Sequence, residues 1–441
     1  MEDLIDLPLH QKISVLRNTS INTQYPNGIT QSKLSDELGV TRNLIAAWET
    51  GRSKPTSIQI EQMARFFNIS YEQLQDSETL IHERYPFLED MAKDIIVVGE
   101  KIWDELTIEL WGEGSSLIAK EVKKYSRQKI SSSEPHFLDE QLNIKFRSLV
   151  KTEIHKYFSD TGIIWFSEEL IPSGQSRAGS NDNRNYFEIL TVNDDLKELE
   201  ISEYVIVDPL DRTVEAVRGL AGFANISVGS FKYGPLVSVV FSFFENNISC
   251  FYAIKNNGAF VRYRDKSEQS IKPSKVKELA NSCLSAYIGK SSRSKNLNQF
   301  KNLFDHYGHE NPFINQSGCY GFCLVASSIV DGFIELTKGY AWHDIVSGAH
   351  ILKEAGGIIR RVNFRELDDP FNYKNSGIEQ VRTLEDAFTL LSALRENRTN
   401  NSENWRRFKF IAASTYDLVG QIVAEISKDY LLIQLNEETE K

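Results

Sequence analysis

Between Leu7 and Leu74 apolar residues recur at spacings of three and four: Ile13, Leu16, Leu34, Leu38, Leu44, Ile45, Trp48, Ile60, Met63, Ala64 and Phe67. This is the repeat of helices buried along one face. Turn residues break it at Pro26-Asn27-Gly28, at Gly39 and from Gly51 to Pro55, so it predicts several short helices. A polar stretch, Gln75 to Glu83, then reads as a linker. A longer amphipathic helix is predicted from Pro86 to about Leu110, with Leu88, Met91, Ile95, Val98, Ile102 and Leu106 on one side. Lys120 to Glu134, charged and Ser-rich, reads as a loop, and a further helix is predicted from Asp139 to Phe158.

Past Ile163 the texture changes to short β-rich runs. Gly162–Phe166, Tyr204–Val207, Leu236–Phe244, Cys250–Ile254 and Ala259–Tyr263 predict strands, the last two joined by hairpin-turn chemistry at Asn256-Asn257-Gly258. Helices return at Cys319–Val330 and Ile345–Ala355. The segment 372–403 reads as an insertion carrying one amphipathic helix. The expected fold class is multidomain: an all-α domain over 7–75, a linker over 76–85, and a mixed α/β domain over 86–441.

Composition adds limits. A chain of 441 residues exceeds one compact core, and its 41% hydrophobic and 25% charged content is that of a globular protein. No apolar run approaches the roughly 18 residues that a membrane span needs, and the N-terminus has no secretory-signal pattern, so no membrane partner is expected. The four cysteines (Cys250, Cys283, Cys319 and Cys323) show no metal-ligand spacing with histidines and are expected to be reduced thiols, which together with the missing signal predicts a cytoplasmic location. A net charge of −11 argues against non-specific coating of nucleic acid, but leaves room for a local basic face.

The stretch Ile29 to Pro55 carries such chemistry. Thr30 can cap a helix opening at Gln31, Gly39 supplies a sharp turn, and Thr41 can cap a second helix whose first residues are Arg42 and Asn43. Arginine pairs with guanine and asparagine with adenine in the major groove, and Arg52 and Lys54 follow where phosphates lie. The Leu38-Gly39-Val40 turn, Trp48-Glu49-Thr50-Gly51-Arg52, Lys54-Pro55 and Met63-Ala64 together resemble the Cro-like (XRE-like) helix-turn-helix family over about residues 10 to 74. The resemblance implies binding to a double-stranded DNA operator as a homodimer, through Gln31, Arg42, Asn43 and Ala46, beside the phosphate contacts expected of Arg52 and Lys54. Acidic and basic residues nearly balance over this domain, so its phosphate-facing surface is modestly charged.

Three separated segments end apolar runs in acids: Ile164 to Glu168-Glu169, Val205 to Asp208-Pro209-Leu210-Asp211-Arg212-Thr213, and Tyr340 to Asp344. Carboxylates converging from strand ends suit hard divalent cations. Taken in order, with Asn315 to Ala326, Glu354-Ala355-Gly356-Gly357 and Phe410 to Ser414, they resemble the inositol monophosphatase superfamily from about Pro86 onward. That resemblance implies an α-β-α-β-α layered sugar-phosphatase-like fold and a magnesium-dependent phosphomonoesterase site holding two or three Mg2+ ions. It assigns Glu168, Asp208, the Leu210 carbonyl, Asp211 and Asp344 to metal. Glu168, Thr213 and Asp211 become catalytic. Arg212, Thr213, Ser317, Gly318 and Glu335 would face a small phosphorylated metabolite. Asp139 matches a further metal-site aspartate at a longer spacing.

The chain departs from the family pattern in several places. Arg212 replaces the motif glycine, and its guanidinium can either block the phosphate site or clamp a phosphate. Ser167 replaces a glycine, Val346-Ser347 stand where two alanines are usual, and His343 takes the place of a tryptophan. Three readings stay open. One is a transcriptional regulator whose C-terminal domain binds and hydrolyses a sugar, inositol or nucleotide phosphate. Another is an inactive ligand sensor or dimerisation platform, and the third is primarily a phosphatase with an autoregulatory DNA-binding domain.

Overall fold

The computed structural model describes residues 9–19, 25, 28–69, 74, 77–111, 137–158, 162–167, 186–190, 201–211, 222–230, 233–242, 247–286, 303, 312–315, 318–340, 343–361 and 408–426. The chain divides into two compact units, Met1–Pro86 and Phe87–Lys441.

The first unit is helical. It contains α1 (Leu9–Asn18), α2 (Gln31–Leu38), α3 (Arg42–Glu49), α4 (Ser57–Phe67) and α5 (Ser77–Arg84). The periodic apolar positions form its core, with Ile13, Leu34, Ile45 and Met63 fully buried and Trp48 at 1% exposure. Threonine begins three of the helices: the Thr30, Thr41 and Thr56 hydroxyls accept from the backbone amides of Lys33, Leu44 and Gln59. Each bond satisfies an amide that the helix itself leaves open. Gly39 ends α2 with φ 66°, a left-handed conformation that costs glycine little, and this lets α3 turn across α2 within three residues. The stretch expected to be a linker contains α5, in which Ile81 is buried.

The second unit is layered. Helices α6 (Leu88–Trp111) and α7 (Phe137–Leu149) pack on an eight-stranded sheet. A π-helical turn, Val150–Ile154, and a 3-10 turn, His155–Tyr157, follow α7. The sheet comprises β1 (Gly162–Ser167), β2 (Tyr186–Leu190), β3 (Ile201–Asp211), β4 (Phe223–Ser230), β5 (Gly234–Ser242), β6 (Ile248–Ile254), β7 (Gly258–Tyr263) and β8 (Glu268–Ser270). Its order is β2-β1-β3-β4-β5-β6-β7-β8. Only β1 and β3 run parallel.

A second sheet contains β9 (Leu284–Ala286), β10 (Phe313–Asn315), β11 (Gly332–Tyr340), β12 (Ile358–Arg361) and β13 (Phe408–Ala413), in the order β10-β9-β11-β13-β12. Helices α8 (Gly318–Ala326) and α9 (Val346–Ala355) lie between the sheets. One core joins Ile206, Phe223, Val240 and Phe251 of the first sheet to Tyr320, Phe322, Ile351 and Leu352 of these helices and to Phe333 and Phe410 of the second sheet. A last helix, α10 (416–426), covers the far side of the second sheet through Leu418, Ile422 and Ile426. The result is the expected α-β-α-β-α stack. Every residue of α8 is buried, which explains why its sequence is apolar all round rather than striped.

The expected helix from Asp139 to Phe158 is α-helical only as far as Leu149. Strands β2 and β4 carried no recognised signal. The loop expected over 120–134 and the insertion expected over 372–403 lie outside the described residues.

Candidate active site and nucleic-acid interface

In the helical unit, Arg42 and Asn43 form the exposed first turn of α3, beyond the Thr41 cap. Ala46, one turn on, is half-buried, and Arg52 and Lys54 are exposed past the end of the helix. Arg52 Nε donates to Thr50 Oγ1 at 3.0 Å. Gln31 opens α2 and donates from Nε2 to Glu49 Oε2 at 2.6 Å. Sequence reasoning did not single out Glu49, yet it ties three helices together. It accepts from Arg17 Nε of α1 and from Arg17 Nη2 at 3.3 Å, while Arg17 Nη1 reaches the Ile29 carbonyl at 3.0 Å. The Glu49 side chain is only 7% exposed, so this hub fixes the angle of α3 against α1 and α2.

The carboxylate site begins with a β-bulge. Asp208 of β3 pairs with Asn225 of β4, and Asp211 pairs with Phe223, so three steps on β3 match two on β4. In a regular strand, residues three apart face opposite sides of the sheet. The extra residue cancels that alternation and brings both aspartates to one face. Pro209 sits in the bulge, where an absent amide hydrogen costs no ladder bond. Asp208 is 1% exposed, and its Oδ1 accepts from the Leu210 amide at 3.1 Å.

The face these aspartates share looks toward α8 and α9. Phe223, opposite Asp211, stacks on Tyr320 in the first turn of α8, with ring centroids 3.9 Å apart and planes inclined by 11°. The start of α8 is thereby pressed onto Asp211. Gly318, its first residue, has φ 56°, and a Cβ there would stand 1.8 Å from Asp211 Oδ2. Next in the chain, Cys319 is buried, which pushes its thiol well up; Asp211 and Asp208 push the same way, and the Gly348 amide opposes them. Asn225, opposite Asp208, accepts from Ser347 Oγ of α9 at 2.8 Å. Asp344 precedes that helix, partly exposed, with His343 Nε2 at 3.3 Å from its Oδ1.

The structure thus gathers Asp208, Leu210, Asp211 and Gly318 around the bulge, and Ser347 links the start of α9 to it. Glu335 is on β11 of the second sheet, opposite Phe410 and 1% exposed. Strand β1 ends at Ser167 beside Val207, one step before Asp208, and Glu168 and Glu169 are next in sequence. Glu168, Arg212, Thr213 and Ser317 lie outside the described residues. Asp139 falls in the first turn of α7, its side chain outside the description.

Among the described residues no group of three or more His, Cys, Asp or Glu side chains stands close enough to hold an ion. In kind, the donors fit a hard cation: carboxylates and a backbone carbonyl, with a carboxylate seated where only glycine leaves room. Among the described residues no helix is long and apolar enough to cross a membrane.

Comparison with known proteins agrees with this architecture. Residues 25–74 match the helix-turn-helix family model, and residues 104–398 match that of the inositol monophosphatase family. The fructose-1,6-bisphosphatase/inositol-1-monophosphatase of Aquifex aeolicus is 32% identical over 165 residues, covering 36% of this chain and 57% of the relative. Inositol monophosphatase 3 of Solanum lycopersicum is 30% identical over 166 residues, covering 37% and 59%. The matched segment therefore spans less than two thirds of these relatives. Among solved structures, an IMPase of Thermotoga maritima superposes with a TM-score of 0.42 at 17% identity, covering 72% of this chain and 95% of that one. An inositol monophosphatase from Zymomonas mobilis gives 0.40 at 13%, covering 76% and 98%. With the family model covering residues 104–398 of 441, the chain belongs to the inositol monophosphatase family and carries a helix-turn-helix domain ahead of that segment.

Proposed function

We propose that this protein is a DNA-binding transcriptional regulator whose C-terminal domain binds and hydrolyses a small phosphorylated metabolite with magnesium. The observation that carries the catalytic half is the bulge that turns Asp208 and Asp211 to one face, with Gly318 making room for the Asp211 carboxylate.

In this reading Asp208, the Leu210 carbonyl, Asp211, Asp344 and Glu168 would hold magnesium. When bound, the metal supplies charge neutralisation on the phosphoryl group and lowers the pKa of a bound water. The Glu168 carboxylate would accept the proton of the attacking water, and Thr213 would help orient that water. Ser317 and Gly318 would face the phosphate oxygens, and the amides that open α8 would act as donors there, as helix N-termini do. Glu335 accepts from a substrate hydroxyl. Buried Phe223 and Tyr320 give the bulge a stacked aromatic backing.

The regulatory half rests on Arg42 and Asn43, exposed where a helix enters the major groove. The protein acts as a homodimer on paired half-sites. Ligand binding changes operator affinity to the extent that the two DNA-binding states differ in ligand affinity.

The test is phosphate release from a panel of phosphate monoesters with Mg2+, comparing wild type with Asp211→Asn, which should lose activity by at least about 10²-fold. Release untouched by Asp211→Asn would exclude this site. Operator selection and footprinting should show that Arg42→Ala relaxes sequence preference by about 1–3 kcal/mol at one base position. Arg212, standing where the motif has glycine, favours a second reading, ligand binding without turnover. Absence of phosphate release together with ligand-dependent footprints would select it.

A further inference from the structure

We propose that Asn225, clamped by Ser347, is a positioning residue for the metal-binding carboxylate Asp208. The inference rests on the magnesium site proposed above and goes beyond it, because Asn225 lies outside the carboxylate motifs and Ser347 departs from the alanine usual at its motif position.

Asn225 and Asp208 face each other directly across the β3–β4 ladder. Directly opposed residues point to the same face of a sheet, with Cβ atoms roughly 4.5–5.5 Å apart. Both side chains are sealed from solvent, each at 1% exposure. The Asn225 Oδ1 is occupied by the Ser347 hydroxyl at 2.8 Å, which fixes how the amide lies. Its other end, Nδ2, is fully buried and has no hydrogen-bond acceptor among the described residues. A buried amide donor without an acceptor is unfavourable, and sites that tolerate one commonly use it. The carboxylate nearest by register is Asp208.

Ser347 explains itself in the same way. It stands where the family pattern has alanine, and its hydroxyl meets Asn225, so the serine and the asparagine form one device. The device joins two of the three segments that supply acids to the site, because Ser347 follows Asp344 by three residues and Asn225 opposes Asp208. A neutral donor on the residue directly opposite a carboxylate can limit that carboxylate to one rotamer without competing for the metal. Metal sites whose ligands are held in this way lose about 10–100-fold in affinity when the holding group is removed.

The experiment is a titration of the full chain with Mn2+, followed by electron paramagnetic resonance of free Mn2+, with apo-protein thermal midpoints measured alongside. Asn225→Ala should weaken Mn2+ binding by at least about 10-fold. Loss of the unsatisfied amide donor offsets the acceptor that the buried Ser347 hydroxyl loses, so the apo midpoint should change little. Ser347→Ala should weaken binding less. The double variant should bind no more weakly than Asn225→Ala, since the serine acts only through the amide.

Unchanged affinity in Asn225→Ala, with Asp208→Asn abolishing binding, overturns the inference and leaves the metal site standing. A weakened affinity matched by a lowered apo midpoint in both single variants overturns it in favour of a purely structural pair. A wild-type chain that binds no Mn2+ overturns the metal site and this inference together.

Discussion

Gly318→Ala separates stability from site geometry. The added methyl would start 1.8 Å from Asp211 Oδ2 and 2.8 Å from its Cγ. To leave the range below 3.0 Å, which real Cβ contacts essentially never occupy, that oxygen must retreat by about 1.2 Å. The obstacle is the end of a side chain rather than backbone, so rotation of Asp211 relieves it. What remains is the backbone: φ is 56°, and alanine in the left-handed region costs about 1–2 kcal/mol. For a unit of this size that lowers the melting midpoint by roughly 1–3 °C. The carboxylate, however, has left its place, and a misplacement of about 1 Å is worth on the order of 10² in rate. We therefore expect a folded variant, a few degrees less stable, with phosphate release down by about 10²-fold and Mn2+ affinity reduced. Calorimetry, a phosphate-release assay and a Mn2+ titration check these three quantities. If Gly318→Ala keeps wild-type metal affinity and turnover while Asp211→Asn abolishes both, the close seat of Asp211 does not set the site. If Gly318→Ala unfolds instead, the backbone rather than the carboxylate yields, and the argument is wrong.

Further predictions concern both units. Glu49→Ala leaves the Arg17 guanidinium, 16% exposed, without its counter-charge and frees Gln31; it should cost about 2–4 kcal/mol, read by denaturant unfolding, and weaken DNA binding. A loss below about 0.5 kcal/mol would show that Glu49 is not the hub. Thr41→Ala removes the cap of α3 and should cost about 1 kcal/mol, with a parallel loss of footprinting at Arg42. His350 is wholly buried between Ser238, at 2.9 Å from Nδ1, and Glu354, and burial holds its imidazole below the ordinary value. The unfolded chain therefore binds a proton that the folded chain refuses, so this contribution is present above about pH 6.5 and lost as pH falls below it. His350→Gln should flatten the thermal midpoint between pH 7 and pH 5, and an unchanged slope would exclude His350 as its source.

What the sequence displayed and what it hid follow from which groups each element buries. The helical unit was legible because its helices are short, capped by threonine and buried along single faces, so period and punctuation agree. The strands β5 and β6 were legible because both faces are apolar and the run is continuous. Strand β4 is equally buried, yet it reads Phe-Ala-Asn-Ile-Ser-Val-Gly-Ser and shows no run at all. Its polar residues are spent on partners that only the fold provides: Ser227 bonds Ser238 of β5 at 2.9 Å, and Asn225 bonds Ser347 of α9. A buried polar residue is indistinguishable in sequence from a surface one, because the sequence does not record where its hydrogen bond goes.

The bulge was hidden for a related reason. The spacing of Asp208 and Asp211 suggests opposite faces of a strand, and only the register against Asn225 and Phe223 reverses that. The acids were thus identified by motif, but the geometry that makes them one site depends on β4, the strand the sequence concealed. Substitutions in β4 should therefore disturb the site as strongly as substitutions in the motifs. Phe223→Ala is the sharpest case, because it removes the ring stacked on Tyr320 and leaves a cavity costing about 3–5 kcal/mol. It also releases the start of α8 from Asp211, without touching any acidic residue.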